Sequence, residues 1–271
     1  MQNDPVAPPL SGQKRAVFFD FVRGFSILSM VGYHLCYDLT ALFGISLPWF
    51  YQLAGMLWQQ SICLPFIFIA GACCFFSRSN LRRGVRLFLL GMGFTVVTTF
   101  ALPGAPIRFG LLHFLGVCVL LYGLLAKMLG RWAEKIPAGL GLAGCWVLFY
   151  LFRWTPQGVV GITLPLNSWD FLSIWAVSLP SWLYETSFLF PLGFPGPGFT
   201  SSDYFPLLPY GFVFAAGLFL GKLAKQGRLP AWVWRDPFPP LSWLGRHSMA
   251  VYLLHQPILL ALVWLGVRLL G

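Results

Sequence analysis

The chain has 271 residues, 58% of them hydrophobic and only 10% charged, with a mean hydropathy of +0.74 and a formal net charge of +10. Soluble domains carry about 25% charged residues, so this composition excludes a soluble enzyme and predicts an all-α, polytopic membrane helical bundle. The six cysteines lie in apolar segments without metal-ligand spacing, which argues for packing roles and predicts no bound metal.

Residues 1–13, with Asp4, Pro5, Pro8, Pro9 and Gly12, read as a flexible tail, and residues 14–271 as a single membrane domain. The first apolar run keeps a polar face and lacks a small-residue cleavage site, so no cleaved leader is expected. A membrane span needs about 20 apolar residues, and seven segments qualify: 16–43, 53–77, 85–102, 109–129, 138–153, 206–224 and 243–268. Alternating their connections puts fourteen Lys and Arg residues on one side and only Arg108, Arg153 and Arg268 on the other, with Arg23 inside the first span. The positive-inside rule then makes the N-terminus cytoplasmic in a multi-pass membrane protein. The positive charge follows from this bias and needs no nucleic-acid partner.

The first span carries Asp20, Arg23, His34 and Asp38. At about 100° per residue these fall at roughly 0°, 300°, 320° and 0°, a single stripe with apolar Ile27 between its ends. Charged side chains at bilayer depth are costly and usually face a bundle interior or a wet cavity. Asp20 and Arg23 also suit an i,i+3 ion pair. The cluster Arg78, Arg82, Arg83 and Arg86 suits a topology signal and an anchor for anionic membrane lipids. In the fourth span His113 is placed at a depth similar to that of His34, and Asp203 precedes the sixth span on the same side. His34, Asp38, His113 and Asp203 therefore converge, on this reading, in one external-leaflet chamber. The stretch from about 155 to 205 reads as an external loop, and its Trp-rich part, 168–190, as an interfacial element; an eighth span there is disfavoured, because it would invert the last two helices and place Lys222, Lys225 and Arg228 outside. The last span contributes Arg246, Ser248, Tyr252 and His255, the last three within about 60° of one another on a helical projection.

Several of these patterns occur together: Asp20-Phe-Val-Arg23-Gly24 followed by Met30 and His34-x-x-x-Asp38; Phe66-Ile-Phe-Ile-Ala-Gly71; Phe109-Gly-Leu-Leu-His113-Phe-Leu-Gly116; Asp203-Tyr-Phe-Pro; and Gly245-Arg-His-Ser248 with Tyr252-Leu-Leu-His255-Gln256-Pro257. The combination, spanning about residues 14–268, resembles bacterial membrane proteins related to the catalytic domain of heparan-alpha-glucosaminide N-acetyltransferase, within a wider transmembrane acyltransferase superfamily. The resemblance implies transfer of an acyl group, typically acetyl, from cytoplasmic acyl-CoA to the amine or hydroxyl of a glycan or amino-sugar acceptor across the membrane. A homodimer is compatible with it, and the heparan substrate is not inherited.

On that basis His34 is expected to be the general base, oriented by Asp38 or Asp203, with His113 also in the catalytic group. His34 taking the acyl group itself is an open alternative. Asp20, Arg23, Arg246, Ser248, Tyr252 and His255 are assigned to the acetyl-CoA donor, with the arginines and the basic loop between the second and third spans as counter-charges for phosphates. In the lysosomal members the position matching His34 looks like Asn and the catalytic His comes later, whereas this chain has no His between 35 and 112. A proton-coupled transporter or flippase using the same polar stripe is the rival reading.

Overall fold

A computed structural model describes residues 15–270, and the tail expected over 1–13 lies outside the described residues. Eight helices follow one another: α1 (Val17–Tyr37), α2 (Leu53–Ala72), α3 (Asn80–Ala101), α4 (Leu111–Lys135), α5 (Ala138–Phe152), α6 (Leu207–Lys225), α7 (Pro239–Arg246) and α8 (Ser248–Leu270). Five of them, α2, α3, α5, α6 and α8, supply stretches long and apolar enough to cross a membrane, and α4 supplies a shorter apolar one, Leu111–Ala126. With its 21 residues α1 has the length of a span and carries the polar stripe as well. The protein is a helical membrane bundle.

The bundle is apolar outside as well as inside: Leu89, Phe100, Leu124 and Leu262 are all exposed. Lipid makes this surface favourable and removes most of the hydrophobic drive between helices, so close packing by small residues replaces it. A Cβ on Gly24 would run into the Leu241 carbonyl of α7, and one on Gly245 into the Asp20 carbonyl of α1. Gly71 and Gly217 stand in the same relation at the crossing of α2 with α6. The central core joins Ile67 of α2, Phe114 and Val119 of α4, and Val213 and Phe214 of α6, all nearly inaccessible.

Two segments differ from the sequence expectation. The seventh span does not start at 243 as one helix: α7 begins at Pro239 and ends at Arg246, and His247 breaks the path with φ −102° and ψ 12°. The His247 carbonyl then accepts the N–H groups of Ala250 and Val251, which starts α8 in a new direction. The loop at 155–205 contains a two-stranded antiparallel sheet, β1 (Val159–Pro165) with β2 (Phe171–Ser178), bulged between Ile162 and Thr163. At its turn the Asn167 side chain accepts the N–H groups of Trp169 and Asp170 at 2.7 and 2.9 Å, which pins the reversal. The hairpin is tied to α5 by a hydrogen bond from the Tyr150 hydroxyl to the Thr163 carbonyl and by Trp154 against Phe171. Residues 168–190 thus form a strand and a short 3-10 turn, and no eighth span.

Candidate functional site

Three polar groups lie along α1 and α8, which run side by side in the same direction: Arg23 meets Ser248 near one end, and Asp38 meets Gln256 farther along. The first group is a cavity of about 590 Å³. Arg23, Arg78, Arg82, Arg83 and Arg86 line it, with Ser248 and an apolar wall that includes Phe66, Leu87 and Leu115. Among the described residues no acidic one lines it. The Arg23 guanidinium donates to the buried Ser248 hydroxyl at 2.7 Å and lies 5.9 Å from the centre of the Phe66 ring. Ser79, also in the lining, is the N-cap of α3 and accepts the Arg82 N–H, so the positive end of a helix dipole faces the same space. Five guanidinium groups and a helix N-terminus give this space a strongly positive character.

Asp20 lies outside that lining. It is 4% exposed and held by Arg15 at 2.5 and 3.0 Å, with Arg23 at 3.7 Å. Arg246 is exposed at the end of α7, also outside the lining.

The second group sits where α1 meets α8. His34, half-buried, packs against His255 with ring centres 4.8 Å apart and planes at 58°. Asp38 is fully buried, and its Oδ1 accepts the Gln256 amide N–H at 2.7 Å. Its Oδ2, the Gln256 Oε1 and the His255 Nε2 are buried without a partner among the described residues. No carboxylate hydrogen-bonds to His34 among the described residues, so neither Asp38 nor Asp203 orients it in this structure.

The third group lies on the other side of Tyr252. His113, 4% exposed, stacks on Phe109 with centres 6.0 Å apart, and its Nε2 is 3.3 Å from the Thr95 hydroxyl. That hydroxyl donates to the Ile107 carbonyl at 2.7 Å. Thr95 therefore accepts from His113, Nε2 carries the proton, and the unprotonated Nδ1 is buried without a partner among the described residues. Asp203 accepts the Leu111 N–H at 3.0 Å. Burial pushes its carboxyl up to about 6, with the Leu111 N–H opposing the rise. His113, Asp203 and Tyr252 line one small cavity of about 10 Å³, room for about one water.

Two glycines make this chamber. A Cβ on Gly91 would lie 2.8 Å from His113 Nδ1, and one on Gly110 would overlap the Asp203 carboxylate. Phe109 takes φ +57°, a left-handed conformation that bulky residues rarely adopt and that costs on the order of 1–3 kcal/mol. Its carbonyl accepts the Phe205 N–H, which joins the strained corner to the Asp203 segment.

The four expected catalytic residues thus divide between two places, His34 with Asp38 and His113 with Asp203. Neither cavity includes His34 in its lining. Of the residues assigned to the donor, Arg23 and Ser248 line the arginine cavity, Tyr252 lines the small chamber, and His255 meets His34.

Comparison with known proteins bears on what these groups serve. The family described as heparan-alpha-glucosaminide N-acetyltransferase, catalytic, matches residues 15–257. The chain belongs to this family. No curated protein and no solved structure matches it. Membership makes the protein a membrane acetyltransferase-like protein, in a family that uses acetyl-CoA as donor. The arginine cavity fits such a donor, because guanidinium groups pair with phosphates and its apolar wall suits the uncharged remainder of the molecule.

Sequence reasoning weighed the Arg78–Arg86 cluster first as a topology signal, whereas the structure gathers all four arginines with Arg23. It missed Gly91, Gly110, Thr95 and Gln256. The Gly110 and Gln256 positions were within quoted motifs; nothing local marked Thr95 or Gly91 as neighbours of His113.

Proposed function

We propose that this family member transfers an acetyl group from cytoplasmic acetyl-CoA to the amine or hydroxyl of a glycan acceptor on the opposite face of the bacterial inner membrane. The observation that carries the reading is the cavity of about 590 Å³ lined by five arginines and, among the described residues, by no acidic one. Arg78 precedes α3 and Arg82, Arg83 and Arg86 lie in its first two turns, at the end that charge bias makes cytoplasmic. In this reading Arg23 and the Arg78–Arg86 cluster hold the phosphates, and the Phe66, Leu87 and Leu115 wall receives the apolar part of the donor arm.

His34 lies eleven residues beyond Arg23 on α1, roughly 16 Å along the helix axis. A long donor arm held by its phosphates at one end suits that separation. His34 acts as general base: it takes the proton from the acceptor as its nitrogen or oxygen attacks the thioester carbonyl. Ser248, which accepts from Arg23, fixes the guanidinium in the cavity wall.

Sealed inside-out membrane vesicles supplied externally with labelled acetyl-CoA test this reading. Label is expected in glycans on the luminal side, with transfer falling at least a hundredfold in His34→Ala at equal membrane insertion. Absence of transfer by the unmodified protein overturns the acyltransferase reading, and undiminished transfer by His34→Ala removes His34 from it.

A further inference from the structure

We infer that His255 is the positioning partner of His34, holding it in the tautomer a base requires, an inference that rests on the acyl transfer proposed above. His255 is only 9% exposed, on α8, and its Nδ1 lies 2.8 Å from the Tyr252 carbonyl oxygen. A carbonyl only accepts, so Nδ1 carries the proton and the lone pair is on Nε2. That Nε2 is buried with no donor facing it among the described residues. A buried acceptor left open costs stability and calls for an explanation. The nearest titratable ring is that of His34, with centres 4.8 Å apart.

A small rotation of the two rings lets a His34 N–H donate to His255 Nε2. The other His34 nitrogen then bears the lone pair, on a residue that is only half-buried. A carboxylate commonly does this work for a catalytic histidine, but here none hydrogen-bonds to His34 among the described residues: Asp38 accepts from Gln256 through Oδ1, and Asp203 from the Leu111 N–H. The Tyr252 carbonyl, by fixing the His255 tautomer, makes the second ring a neutral substitute.

The proton balance is complete without a further reactant. The acceptor nitrogen or oxygen forms a bond to the acetyl carbon, its proton passes to the free nitrogen of His34, and the carbon–sulfur bond breaks. The resulting imidazolium keeps its hydrogen bond to His255 Nε2 and returns the proton to the departing thiolate. His255 touches neither substrate; it orients His34 and stabilises its charged form.

The test compares the full-length protein with His255→Gln, which can retain a buried acceptor, and with His255→Leu, which cannot. His255→Leu is expected to lower kcat at least tenfold with the KM for acetyl-CoA unchanged, and His255→Gln to recover most of the loss. Placed on His34→Ala, His255→Leu is expected to cause no further loss. Full activity of His255→Leu, failure of His255→Gln to recover, or losses that multiply in the double variant overturn the proposal. If His255→Leu fails to insert, His255→Asn, whose shorter side chain withdraws the acceptor, is expected to show the same tenfold loss, and full activity there overturns it equally. Nitrogen-15 spectra of labelled histidines test the pair without turnover: His34 resonances are expected to move in His255→Asn, and unmoved resonances overturn the pairing. An unmodified protein that transfers no acetyl group refutes the enzyme reading instead, and the spectra still decide the pairing.

Discussion

Asp203→Asn probes the chamber around His113 without changing the size of the side chain. Asp203 is half-buried, its carboxyl is pushed from 3.8 up to about 6 by burial, and its one hydrogen bond there comes from the Leu111 N–H at 3.0 Å. A carboxyl that holds its proton more tightly folded than unfolded burdens the folded state above its folded pKa. The burden lifts as pH falls through about 6 toward 4, because the folded protein takes up a proton that the unfolded chain does not. At about 1.4 kcal/mol per pH unit the rise is worth at most about 3 kcal/mol, and solvent screening of a half-buried group reduces this to about 1–2 kcal/mol. Asparagine keeps an acceptor for the Leu111 N–H and carries no charge, so Asp203→Asn is expected to be more stable than the unmodified protein at pH 7.5. The gap corresponds to roughly 2–4 °C in Tm and should close as pH approaches 4. Thermal unfolding of both proteins in detergent across that range, followed by tryptophan fluorescence, measures the difference directly and cancels the other titrating groups. A variant less stable at pH 7.5, with a deficit that grows as pH rises, would show that the carboxylate is paired and the burial argument wrong.

Arg83→Ala and Arg23→Ala are each expected to raise the KM for acetyl-CoA about tenfold or more, since a charge-assisted hydrogen bond contributes about 1.5–3 kcal/mol; initial rates in inside-out vesicles give the value, and an unchanged KM in both would place the donor elsewhere. Gly91→Ala puts a Cβ 2.8 Å from His113 Nδ1 and is expected to destabilise the protein by about 1–3 kcal/mol, read as a lower Tm in detergent. Arg246→Ala, at an exposed residue outside the arginine cavity, is expected to leave the KM for acetyl-CoA within a factor of two, in contrast to Arg23→Ala.

How much of the bundle could be read from sequence follows from the solvent that each segment meets. In lipid every backbone polar group must be satisfied within the chain, so a long apolar run has little choice but helix. The seven expected segments accordingly appear as helices, with α3 and α4 longer than expected because their basic ends continue past the apolar stretch. At His247 and in the hairpin that constraint weakens. The Val159–Leu164 run partly alternates and both it and Phe171–Val177 contain β-branched residues, but Trp-rich, apolar sequence next to a span reads equally well as an interfacial element until the Asn167 turn is seen to pair the strands.

The candidate site was legible as residue types more than as pairings. Helical periodicity groups residues on one helix, and it correctly placed Arg23 and His34 on a single stripe. It carries no information on which neighbour faces each residue. The i,i+4 spacing of His34 and Asp38 suggested a dyad, but Asp38 begins a short π-helical turn, Asp38–Leu42, and its carboxylate meets Gln256. His255 meets His34 instead. The division has a consequence for access: Tyr252 stands between the two histidine groups, 5.8 Å from the His255 ring on one side and in the wall of the His113 chamber on the other. The Ser248 hydroxyl, one helical turn before it, is in the arginine cavity wall. One face of α8 therefore links the arginine cavity to the His113 chamber within about 6 Å of helix, while a neighbouring face carries the His255 ring to His34. A bulky substitution at Tyr252 would disturb both histidine groups together, whereas Gly91→Ala acts on His113 alone. Comparing Gly91→Ala with His34→Ala at equal membrane insertion separates the two histidines: transfer lost in Gly91→Ala but retained in His34→Ala would assign the chemistry to the His113 chamber.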